Sequence, residues 1–154
     1  MTGQTGMTGQ PALTANPPCL AWRRSFPGEF GQVSVLRRWI SDLLPECDAR
    51  DTVILVASEL GANAVRHTTS GLPGGRFEVT VTWIADMVRI EVDDGGGPSI
   101  PAVIDGADGE DGRGLRLVVY LSASLSVSGD EEGRFVRADI PWGAGGGPPR
   151  LAIQ

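Results

Sequence analysis

Glu59, Asn63 and His67 stand four residues apart in the run Glu59-Leu60-Gly61-Ala62-Asn63-Ala64-Val65-Arg66-His67. An α-helix turns about 100° per residue, so an i, i+4, i+8 set keeps to one slowly drifting stripe. The carboxamide oxygen of Asn63 is a hard donor of the kind Mg²⁺ takes. That ion keeps several waters, so one protein ligand can suffice. Glu59, one turn earlier, is spaced to polarise a water or hydroxyl near a terminal phosphate. The same stripe would also serve as a solvated helix face. His67, the one histidine of the chain, either contacts phosphate or caps the end of its helix.

Two glycine-rich stretches follow. Asp93-Asp94-Gly95-Gly96-Gly97 closes a strand pattern. A carboxylate there, taken as Asp93, can accept a hydrogen bond from an exocyclic amine such as that of adenine. Gly95 and Gly97 would let the backbone approach the base where a Cβ would clash. Such a run is also a common tight turn. Gly112-Arg113-Gly114-Leu115 opens a helix pattern, and the free amides and macrodipole of a helix start attract phosphate oxygens. Arg113 adds a charge-assisted fork and is the one basic residue between Arg89 and Arg116. A plain glycine-rich helix entry is the alternative. Together the three stretches point to a nucleotide site, whereas Ser58, Ser70 and Ser99 lack the His–Asp partners of a hydrolase.

The elements that must position these groups follow from periodicity. Residues 19–26 read as a first strand ending at Pro27. From Gly28 to Leu44, Phe30, Val33, Leu36, Trp39, Ile40, Leu43 and Leu44 recur at helical spacing, with Pro45 as the stop. A second helix spans Asp48–His67, with Val53, Val56, Ala57, Leu60 and Ala64 as its buried face. Phe77, Val79, Val81, Trp83 and then Val88, Ile90, Val92 alternate as two strands joined at Ala85-Asp86. Residues 95–111 read as a long lid-like loop. Its acids Asp105, Asp108, Glu110 and Asp111 are solvating groups. A third helix starts near Gly112 and runs through Leu121, and strands at 124–128 and 134–140 complete the pattern. The order β-α-α-β-β-lid-α-β-β implies an α+β fold: a two-layer sandwich with a mixed, mostly antiparallel sheet and helices on one face.

The chain of 154 residues carries a net charge of −6, with 41% apolar and 21% charged residues. That is the balance of one globular domain, expected over residues 19–141. Residues 1–18 read as a disordered lead-in and 142–154 as a flexible tail. The acidic balance argues against a nucleic-acid surface, which needs clustered Lys and Arg. No run approaches the length of a membrane helix, and residues 1–18 show no basic and apolar signal-peptide pattern. Cys19 and Cys47 fit no metal spacing and lean toward a reducing cytoplasm.

With the three motifs in this order, the chain resembles the GHKL ATPase superfamily. Within it, the nearest likeness is to the short anti-sigma-factor serine/threonine kinases of bacteria, in the stand-alone form of actinobacteria. The family's N-box looks like Glu59-x-x-x-Asn63-x-x-x-His67. Its first glycine box looks like Asp93-x-Gly95-x-Gly97, and its second is similar to Gly112-Arg113-Gly114-Leu115. The likeness runs from about Ser25 to Ile140. It implies a Mg·ATP site under a lid, with Asn63 on Mg²⁺, Glu59 as general base and Asp93 reading adenine. Gly97, Gly112, Arg113 and Gly114 would cradle phosphates. It further implies transfer of the γ-phosphoryl group to an anti-sigma-antagonist protein, sequestration of a sigma factor, and a homodimer. The lid is poor in basic charge, which leaves transition-state neutralisation to Mg²⁺ and Arg113. That feature keeps open a second reading, a nucleotide-gated protein-binding module with little chemistry of its own.

Overall fold

The computed structural model describes residues 19–97 and 110–143, and only the backbone of residues 110–113. The lead-in 1–18, most of the lid-like loop and the tail beyond Gly143 lie outside the described residues. The elements are β1 (Cys19–Pro27), α1 (Gly31–Leu43), α2 (Asp48–His67), a 3₁₀ turn (Thr69–Gly71), β2 (Arg76–Ile84), β3 (Met87–Asp94), α3 (Glu110–Leu121), β4 (Ser124–Gly129) and β5 (Arg134–Pro141). Helix α2 has the expected bounds. Its first turn carries Asp48 and Asp51 and its last Arg66 and His67, each sign facing the favourable end of the macrodipole. Helix α1 begins three residues later than the periodicity implies, because Gly28–Phe30 form a turn in which Gln32 N donates to Glu29 O at 2.9 Å.

The five strands lie in the order β1-β2-β3-β5-β4. Every pairing is antiparallel, where a mixed sheet is expected from the element order. The reason is the place of β5. Strands β3 and β4, joined through α3, run the same way, but β5 inserts between them, so no parallel neighbours arise. The helices cover one face of this sheet, giving the two-layer α+β sandwich.

Side-chain alternation along the strands fixes which groups face the helices. Val79, Val81 and Trp83 of β2, Val88, Ile90 and Val92 of β3, and Val136, Ala138 and Ile140 of β5 point inward. They meet Val53, Val56, Ala57, Leu60 and Ala64, the expected buried face of α2. Phe26 stacks on Phe77 with centroids 5.5 Å apart and meets Trp39 edge-on at 5.7 Å. Trp142, expected in the flexible tail, is 3% exposed and packs against Trp83. Its backbone N–H donates to Asp86 O at 2.6 Å. An indole large enough to close the end of the core is held there, so Trp142 belongs to the folded body.

The opposite face of the sheet is polar. Arg89 lies across from Asp139 and Glu91 across from Arg137. Arg89 Nε donates to Asp139 Oδ1 at 2.7 Å and Ser124 Oγ to Asp139 Oδ2 at 2.8 Å, while Arg137 Nε donates to Glu91 Oε1 at 2.9 Å. The Arg89 hydrogen bond, aided by Ser124, holds the Asp139 carboxyl below its ordinary pKa against the opposing effect of burial. A depressed folded pKa means stability that is complete above the unfolded value, near pH 4, and lost as pH falls toward the folded one. Asp139→Asn should therefore cost about 1.5–3 kcal/mol at neutral pH. In urea unfolding, the gap between variant and wild type should narrow below about pH 4. A pH-independent gap would remove the ion pair as its cause.

Candidate functional site

Glu59 lies on the half-buried border of α2, and its carboxylate reaches α3. A Cβ on Gly114 would overlap Glu59 Oε2, so the two motifs meet where glycine leaves room for the acid. Helix α3 starts at Glu110, two residues earlier than the glycines imply, so Gly112 and Arg113 fall in its first turn. Among the described residues, the backbone N–H groups of 110–112 lack intrahelical acceptors and point outward from the helix end, whereas from Arg113 onward they bond within the helix. The side chain of Arg113 lies outside the described residues. Asn63 and His67 continue the stripe and are half-buried. Leu115 is a different case: at 4% exposure its side chain belongs to the hydrophobic core, because its phase on α3 matches that of buried Val118. Its side chain is therefore turned away from any ligand at the helix start.

The first glycine stretch is seated on the end of α2. Gly97 packs on the carbonyl of His67 so closely that a Cβ would lie 2.7 Å from it. Thr69 N donates to Gly96 O at 2.9 Å. Thr69 Oγ1 donates to Gly95 O and Gly95 N to Ser70 Oγ, both at 2.8 Å. Gly96 takes φ of +70°, in the left-handed region that glycine adopts freely. Residues 69–70 therefore clasp the turn, a role no motif in the sequence signals.

The two acids at this turn face opposite sides of the sheet. Asp93 is exposed and lies on the polar outer face of the sheet, opposite Glu78 and Phe135. Asp94 is 7% exposed and points to the helix side, in phase with Val88, Ile90 and Val92. Its Oδ1 accepts from Gly96 N at 2.7 Å. Burial raises the Asp94 pKa, while the Gly96 amide and the Arg134 guanidinium pull it back down. Arg134 is Asp94's register partner on β5 and is itself 3% exposed. Its Nη2 donates to Gly97 O at 3.2 Å. Beside it opens a cavity of about 300 Å³, bounded by Gly97, Val127, Gly129, Asp130, Glu131 and Arg134.

The N-box helix thus touches both glycine motifs, at Glu59–Gly114 and at His67–Gly97. Among the described residues no group of three or more His, Cys, Asp or Glu side chains gathers as a metal site. Any protein contribution to Mg²⁺ from these residues would come from oxygen donors such as the Asn63 carboxamide. No described helix is long and apolar enough to cross a membrane.

The family model for the histidine kinase-like ATPase domain matches residues 26–140. The chain belongs to this family, a class of ATP-binding domains of the GHKL type. A search of curated proteins returned no match.

Proposed function

We propose that the chain is an ATP-dependent protein serine/threonine kinase of the anti-sigma-factor type. Its substrate would be an anti-sigma-antagonist protein, and phosphorylation of that antagonist would control release of a sigma factor in the cytoplasm, with the kinase acting as a homodimer. The observation that carries this reading is the Glu59 carboxylate lying against Gly114, within reach of the first turn of α3. A base at that place can take the proton of a seryl or threonyl hydroxyl while its oxygen attacks the γ-phosphorus and ADP leaves. The free amides at the start of α3, that of Gly112 among them, face phosphate oxygens, Asn63 supplies an oxygen donor to Mg²⁺, and Asp94 in place of Asp93 accepts from the exocyclic amine of adenine.

A second reading draws on one feature of the sequence: residues 98–111 contain no Lys or Arg. A lid without cations neutralises little charge in a phosphoryl-transfer transition state. It suits a module that binds partners according to nucleotide state. Incubation with labelled ATP and candidate antagonist proteins separates the two. Phosphoserine or phosphothreonine on an antagonist supports the kinase, and its absence on every candidate, with ATP bound, supports the module. Calorimetry with and without Mg²⁺ tests the metal assignment. Asn63→Ala should erase most of the Mg²⁺-dependent gain in ATP affinity and leave metal-free binding intact. An undiminished gain would move the metal elsewhere.

A further inference from the structure

We infer that Arg134 is a positioning residue for nucleobase selection: it fixes Asp94 and the carbonyl of Gly97 in one arrangement at the base end of the site. The inference rests on the nucleotide reading above and deepens it.

Three observations converge on Arg134. It stands directly across the ladder from Asp94, on the same inward face. Both groups are almost fully excluded from solvent, at 3% and 7% exposure. Its Nη2 also donates to Gly97 O at 3.2 Å, so a single planar fork ties β5 to the backbone that leads out of the turn. Arginine is seldom buried to this degree without a structural or recognition task.

The consequence is chemical. A buried carboxylate with no compensating charge neutralises by taking up a proton. Arg134 opposes that, as does the Gly96 amide, while burial and the neighbouring Asp93 favour protonation. The other titratable residues packed on this turn are His67 at the end of α2, and Asp130 and Glu131, whose backbone lies against Gly96. Only an ionised Asp94 is purely an acceptor, and an acceptor is what distinguishes a 6-amino purine from one lacking that amine. Loss of the guanidinium should blunt the choice of base more than it weakens grip on the triphosphate, which is held at the α3 end.

The test compares ATP with purine riboside triphosphate, which lacks the 6-amino group, by calorimetry on the full chain. Wild type should favour ATP by tenfold or more, about 1.4 kcal/mol or above. Arg134→Met should bring that ratio near unity, and Arg134→Lys should keep most of it. If Arg134→Met melts below the assay temperature, Arg134→Gln, which retains a donor for Gly97 O but no charge, carries the same expectation. A wild-type ratio in Arg134→Met or Arg134→Gln, with both affinities lowered equally, would overturn the inference and leave the nucleotide reading standing. No binding of either nucleotide by the wild type would overturn both.

Discussion

Glu59→Gln is expected to slow phosphoryl transfer by about 100- to 10,000-fold, the usual contribution of a positioned general base. The amide is isosteric with the acid, so it still fits against Gly114, where a Cβ would collide with the side chain. Packing, melting temperature and ATP affinity should therefore hold. What is lost is the ability to accept the proton of the attacking hydroxyl. Single-turnover transfer to the antagonist, beside calorimetric ATP binding, separates chemistry from binding. Transfer that persists at the wild-type rate would remove Glu59 from the chemistry and leave it a spacer between α2 and α3.

The second large effect contrasts two adjacent acids. Asp94→Ala should weaken ATP binding by about 10- to 100-fold, the loss of a charge-assisted hydrogen bond of about 1.5–3 kcal/mol. Asp93→Ala should change it little, because that side chain is exposed on the sheet's other face. Asp94→Ala also frees the Gly96 amide and leaves buried Arg134 without the carboxylate across the ladder, so its melting temperature should fall as well. Asp94→Asn, which keeps the shape and one acceptor oxygen, should sit between the two. Equal losses at Asp93 and Asp94 would show that the turn is sensitive as a whole and that no single acid reads the base.

These two acids also show how far the sequence is legible. The spacing Asp-x-Gly-x-Gly is met by Asp93, Gly95 and Gly97, and spacing alone selects Asp93. The phase of the strand selects otherwise. Val88, Ile90 and Val92 already mark the inward positions, and the next inward residue is Asp94. The burial of Asp94 was thus legible locally, in an alternation that the motif spacing does not encode. Helix α2 was legible end to end because its apolar spacing and its terminal charges agree. Arg134 and the clasp of Thr69 and Ser70 were not. Their importance comes from the antiparallel register of β3 with β5 and from the seating of a turn on a helix end, and both join residues far apart in the chain. Trp142 was missed for a related reason. A glycine-rich stretch after it reads as tail, and only the closed hairpin of β2 and β3 supplies the Asp86 carbonyl that holds it.

The central position of β5 has a consequence for synthesis. A ribosome delivers β1, β2 and β3 early, yet β3 keeps an unpaired edge until residues 134–141 emerge and slide between it and β4. Until then Asp94 has no guanidinium opposite, and the turn at Gly96–Gly97 lacks its tether. In the newborn chain the nucleotide end of the sheet is therefore incomplete until residues 134–141 have been made and paired with β3.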